Sequence, residues 1–89
     1  MTKYHAEIKI RLRRSILDPK GKASKHALDN LGFDQIEEVR IGKLIDVTLE
    51  ANTTEEAEKV ARKACDKLLA NEVMEDYEVS VQSLKRATA

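Results

Sequence analysis

Apolar and polar side chains alternate without a break near the start of the chain. Tyr4, Ala6, Ile8, Ile10 and Leu12 share one face, and His5, Glu7, Lys9, Arg11 and Arg13 share the other. This period of two predicts a strand with one packed face and one wet face. The same alternation returns as Ile45, Val47 and Leu49 against Asp46, Thr48 and Glu50, and again as Tyr77, Val79 and Val81 against Glu78, Ser80 and Gln82. A shorter run, Val39 and Ile41, precedes Gly42 and predicts a fourth strand joined to the next by a β-hairpin. Glycine would supply the positive φ of the turn. A two-residue turn at Gly42-Lys43 would set Val39 opposite Asp46 and place a carboxylate on the packed face, so the expected hairpin is irregular, with an odd loop or a bulge.

Two helical patterns separate the strands. Asp18-Pro19-Lys20-Gly21 predicts a helix start, with Asp18 as cap and Pro19 at the first helical position, where its missing N–H is not needed. Ala23, Ala27, Leu28 and Leu31 form the apolar stripe, Gly32 ends the helix, and Phe33 is expected to tuck into the core edge. Gly21 lowers helix stability by about 1 kcal/mol relative to alanine. It therefore needs a reason, either close approach of a neighbouring backbone or N–H groups left open for an anion. Tight packing on a neighbouring strand is the simpler expectation. The second helix is more strongly marked. Thr53 and Glu56 form a capping box, Ala57, Val60, Ala61, Ala64, Cys65, Leu68 and Leu69 follow on one face, and acidic residues lead while basic ones trail.

The order βαββαβ predicts an α+β, ferredoxin-like fold, a four-stranded antiparallel sheet with two helices on one face. Residues 1–84 form the single domain and 85–89 a flexible tail. In that topology Asp18 to Gly21, Arg40 to Lys43 and Asn71 to Asp76 meet at one rim. The sheet face away from the helices, from His5 to Gln82, is too polar for an apolar interface.

Composition narrows the function. Sixteen basic and sixteen acidic residues cancel, which removes the long-range positive field that non-specific nucleic-acid binding needs. The exposed sheet face also lacks stacking aromatics for RNA. One cysteine forms no internal disulfide, and no signal peptide or long apolar run is present, so the expectation is a cytoplasmic chain with no membrane contact. His5, His26 and Cys65 lack metal-ligand spacing and are read as structural. No phosphate-cradling glycine loop occurs, so no nucleotide-binding motif is expected in this chain.

With these pieces in place, the sequence resembles the PurS-type small subunit of phosphoribosylformylglycinamidine synthase. The resemblance rests on Ile16-Leu17-Asp18-Pro19-Lys20-Gly21, Ala27-Leu28, Leu31-Gly32-Phe33, Val39-Arg40-Ile41-Gly42-Lys43, Leu68-Leu69-Ala70-Asn71 and Glu75-Asp76-Tyr77. Lys20 stands where that family often has Gln, and Glu72 where it usually has Pro, which predicts a looser loop before the last strand. The resemblance implies a non-catalytic subunit, a homodimer or homotetramer, that bridges a glutaminase subunit and an ATP-dependent synthetase subunit and assists assembly and ammonia transfer. It also implies that ATP, Mg and glutamine are used by the partners and that this chain holds no cofactor.

For Arg40 and Lys43 two readings compete: a solvated turn without a partner, or a docking surface within a mixed-charge rim. The rim and the resemblance together favour docking, with Arg14, Asp18, Lys20, Gly21, Arg40, Gly42, Lys43 and Asn71 as the expected partner-binding residues. The alternative is an ACT-like regulatory domain, which places an acidic residue, a proline and a glycine at its first helix start to hold an amino acid. Its usual order is Asp-x-Pro-Gly, and this chain reads Asp-Pro-x-Gly.

Overall fold

A computed structural model describes residues 1–84; the tail expected at 85–89 lies outside the described residues. The first strand, β1 (Thr2–Leu12), is central. It pairs antiparallel with β2 (Lys43–Ala51) on one side and with β3 (Glu75–Ser83) on the other. The register sets Ile8 between Ile45 and Val79, and Ala6 between Val47 and Val81. All three expected alternations therefore point their apolar sets the same way.

The second helix, α2 (Thr54–Ala64), covers that apolar face and touches all three strands. Thr53 Oγ1 accepts the Glu56 N–H at 3.0 Å, as the capping box requires. Ala57 and Ala61 are buried, and their small side chains let the helix lie close to the sheet. Ile8, Ile10, Cys65 and Ala70 form one cluster, and Tyr4, Ala51 and Ala57 another. Burying one such isoleucine contributes roughly 1.5–3 kcal/mol. Past Ala64 the helix widens into a π-helical turn (Cys65–Leu69), closed by the Ala70 N–H donating to the Cys65 carbonyl at 3.0 Å. The wider turn shifts the phase of the stripe. Leu69 packs on the core, whereas Leu68, expected on the packed face, is 83% exposed.

Several expectations about the other half of the chain are corrected. The sheet of the described residues has three strands instead of four. Residues 36–42 form no ladder, so neither the strand through Val39 and Ile41 nor the hairpin at Gly42 exists. Gly42 has no positive φ either. The backbone there is held by the β1–α1 loop, as described below, and is unavailable to a neighbouring strand.

The first helix, α1 (Pro19–Asn30), does form where predicted. It ends in a Schellman pair, in which the Phe33 N–H donates to the Leu28 carbonyl at 3.0 Å and the Gly32 N–H to that of Asp29 at 3.1 Å. However, α1 is not layered on the sheet beside α2. Beyond marginal contact it packs on no strand, and Gly21 is its only buried residue. Leu31 is 72% exposed, and Phe33, expected in the core edge, is 48% exposed. The protein measures 52 × 34 × 14 Å with a radius of gyration of 16.9 Å, against about 12 Å for a compact chain of this length. Among the described residues no helix is long and apolar enough to cross a membrane.

Candidate functional site

The rim is built from Asp18 outward. Asp18 follows an exposed turn, adopts an extended backbone as the cap of α1, and is itself buried. Its Oδ1 accepts the Gly21 N–H at 2.9 Å, and its Oδ2 accepts the Ile41 N–H at 2.7 Å. One carboxylate thus caps a helix and anchors a segment 23 residues away. The Ile41 N–H, then that of Gly21, hold its pKa below the ordinary carboxylate value; burial opposes the shift, and the Arg40 charge adds to it.

Two glycines make this approach possible. A Cβ on Gly21 would overlap the Val39 carbonyl oxygen, and a Cβ on Gly42 would overlap that of Ile10. Close backbone approach is therefore the reason for Gly21, as expected, although the neighbour is the irregular 36–42 segment and not a strand. The Gly21 N–H is consumed by Asp18 and is not open to an anion.

Arg40 closes the clamp from the other side. Its Nη2 donates to the Arg13 carbonyl at 2.9 Å and to the Ile16 carbonyl at 3.0 Å. Arg13, absent from the expected partner-binding set, is the hub of the rim. Its N–H donates to the Met74 carbonyl at 2.8 Å, its Nη2 to the Glu72 carbonyl at 2.8 Å, and its Nε to Asp76 Oδ1 at 3.2 Å. It ties together two of the three segments predicted to converge, 40–43 and 71–76, and Asp18 joins the third to them through Ile41. A signal was present in the sequence: Arg13 continues the wet face of β1 to the point where the chain leaves the sheet.

Asn71 organises the third segment. Its Oδ1 accepts the Val73 N–H at 2.9 Å and the Met74 N–H at 3.3 Å, and its own N–H donates to Glu75 Oε1 at 2.8 Å. The loop that carries Glu72 is therefore pinned, where a looser one was expected. Arg14 Nη2 lies 3.3 Å from Glu38 Oε1 as an exposed pair, and the exposed Lys43 Nζ lies 3.5 Å from Oε2 of Glu75, whose side chain is mostly buried. Lys20 is exposed and makes no ion pair among the described residues. Of the eight expected residues, Asp18, Gly21, Arg40, Gly42 and Asn71 hold the rim together, while Arg14, Lys20 and Lys43 face outward from it.

The other candidate residues are settled locally. His5 Nε2 lies 2.8 Å from Asp46 Oδ1 on the open sheet face. There Glu7 sits opposite Asp46 as a like-charge pair, and the His5 ring contacts the Asp46 carboxylate. His26 is exposed, and Cys65 is buried, which raises its thiol pKa and disfavours the thiolate.

Comparison with known proteins agrees with this architecture. The family model for PurS, phosphoribosylformylglycinamidine (FGAM) synthase, matches residues 5–83. The chain belongs to the PurS family. It is 44% identical over 84 residues to the phosphoribosylformylglycinamidine synthase subunit PurS of Synechocystis sp., covering 94% of this chain and 84% of that protein. The crystal structure of PurS from Methanocaldococcus jannaschii, one of the subunits of formylglycinamide ribonucleotide amidotransferase in the purine biosynthetic pathway, is 37% identical. It superposes with a TM-score of 0.80 over 89% of this chain and 95% of that one. A chain in the structure of PurLQS from Thermotoga maritima, 32% identical, superposes with a TM-score of 0.84 over 92% of this chain and 100% of that one. The ACT-like alternative is not favoured. The Asp18 carboxylate and Gly21 N–H that would meet an amino acid bond to each other and to Ile41.

Proposed function

We propose that this chain is a non-catalytic assembly subunit of phosphoribosylformylglycinamidine synthase, acting as a homodimer or homotetramer that bridges the glutaminase and ATP-dependent synthetase subunits in the cytoplasm and assists ammonia transfer between them. The observation that carries the proposal is that, among the described residues of this PurS-family chain, α1 has only marginal contact with the sheet while the rim polar groups are bonded internally. A 12-residue helix is marginal in water without tertiary cover, so a second chain supplies what this one does not. Arg14, Lys20 and Lys43 are the outward contacts, on a shape held by Asp18, Gly21, Arg40, Gly42 and Asn71. ATP, Mg and glutamine are handled by the partner subunits.

Reconstitution tests the proposal. The purified chain alone turns over neither glutamine nor ATP, and its addition to the two other subunits restores glutamine-dependent amidine formation. Full glutamine-dependent activity without this chain contradicts the proposal.

A further inference from the structure

Beside the clamp, between the end of β1 and the start of β2, lies an open cleft of about 460 Å³. Five cations line it, Lys9, Arg11, Arg14, Arg40 and Lys43, and no carboxylate does. In a chain of zero net charge this is a local segregation of like charge, which an anionic partner relieves. Lys9 makes no ion pair among the described residues, and Arg11 reaches only Glu78 at 3.9 Å. The carboxylates near Arg14 and Lys43, those of Glu38 and Glu75, lie outside the lining. The exposed Arg14–Glu38 pair is exchanged at little expense, whereas Lys43 is held by a Glu75 carboxylate that is mostly buried.

The cleft also has an apolar wall. Leu44 sits directly opposite Lys9 on the open sheet face and is 59% exposed, and Ile41, which the clamp fixes in place, is 40% exposed. An exposed large apolar side chain with cations beside it, on a base that the clamp fixes, is the composition of a protein-docking spot, with an apolar anchor and charges at the rim. The openness of the cleft and the exposure of Arg11 and Arg14, 70% and 83%, disfavour a small ligand, which a binding pocket would largely enclose.

We infer that this cleft receives an acidic, apolar-anchored segment of a partner subunit, whose carboxylates meet Lys9, Arg11 and Arg14 while an apolar side chain covers Leu44. The inference rests on the assembly role proposed above and specifies the chemistry of one contact within it.

The test measures binding of the full chain to the isolated synthetase and glutaminase subunits at low and high salt. Lys9→Gln with Arg11→Gln weakens binding to one of them about tenfold at low salt and flattens its salt dependence. Leu44→Ser weakens the same complex by about as much at either salt. Lys59→Gln, on the outer side of α2, leaves binding unchanged. Each variant is melted first, so that a fold defect is separated from a docking defect. Undiminished binding by both cleft variants overturns the inference and leaves the assembly role standing. So does displacement of the partner by inorganic phosphate beyond that seen with chloride at equal ionic strength, which marks a small-anion site. Dissociation of the free homo-oligomer by Lys9→Gln with Arg11→Gln also overturns it, since the occupant is then a second copy. If neither subunit binds the unmodified chain, the assembly role itself fails and the inference falls with it.

Discussion

The two helices differ in what their apolar stripes find. Cys65 of the π-helical turn is buried with Ile8 and Ile10, Ala57 of α2 with Tyr4, and Ala61 is buried as well, so the sheet and α2 complete one another within a single chain. The stripe of α1 is patterned much as a packing face should be, yet Ala23, Ala27 and Leu31 are exposed. What anchors α1 is polar: the Asp18 carboxylate, the Arg40 guanidinium and two glycines that admit close backbone approach. Hydrophobic periodicity states that a face is to be covered, without stating by which chain. A half-buried unit joined to a polar-clamped projecting helix is the form a bridging subunit needs.

Substitutions separate the two regions. The largest loss is expected in the sheet, where Ile8→Ala removes a fully buried side chain and lowers stability by about 2–5 kcal/mol, measured by denaturant unfolding. A smaller effect is expected at the clamp. Asp18→Asn lowers the melting temperature at neutral pH by on the order of 10 °C. Because the folded-state pKa of Asp18 is depressed, its contribution is present above the ordinary carboxylate pKa and is lost as pH falls through the depressed folded value. The melting temperatures of the unmodified chain and the variant therefore converge on acidification. A gap that persists in acid contradicts a role for the ionised carboxylate. The smallest effect on the protomer is expected on α1, where Leu31→Ser leaves sheet stability within about 0.5 kcal/mol.

The same contrast explains what was legible in the sequence. The three strands of the described residues, the capping box at Thr53 and both ends of α1 follow from periodicity and from cap chemistry, whereas the convergence of the loop segments is drawn from a four-stranded topology that the sheet does not have. The segment through Val39 and Ile41 was misleading, because its alternation fits a strand while its hydrogen bonds go elsewhere. The Ile41 N–H is taken by a carboxylate on another loop, and Gly42 sits against the Ile10 carbonyl. Such long-range side-chain contacts leave no periodic trace. Charge alone places Arg40 on a solvated turn or a docking rim and does not reveal that its guanidinium also bonds two backbone carbonyls. Gly21, a glycine inside a helix start, is the hint the sequence offers that two backbones press together. Leu68 was misplaced because the π-helical turn adds a residue to the helical repeat, which a constant period does not foresee.

Whether α1 is completed by another copy is decided most directly by amide hydrogen exchange along residues 22–30, followed as a function of protein concentration and paired with sedimentation. Closure by self-association predicts a dimer or tetramer in which these amides are protected, with protection lost in step with dissociation on dilution and weakened at all concentrations by Leu31→Ser. A strictly monomeric chain whose α1 amides stay protected independently of concentration contradicts it.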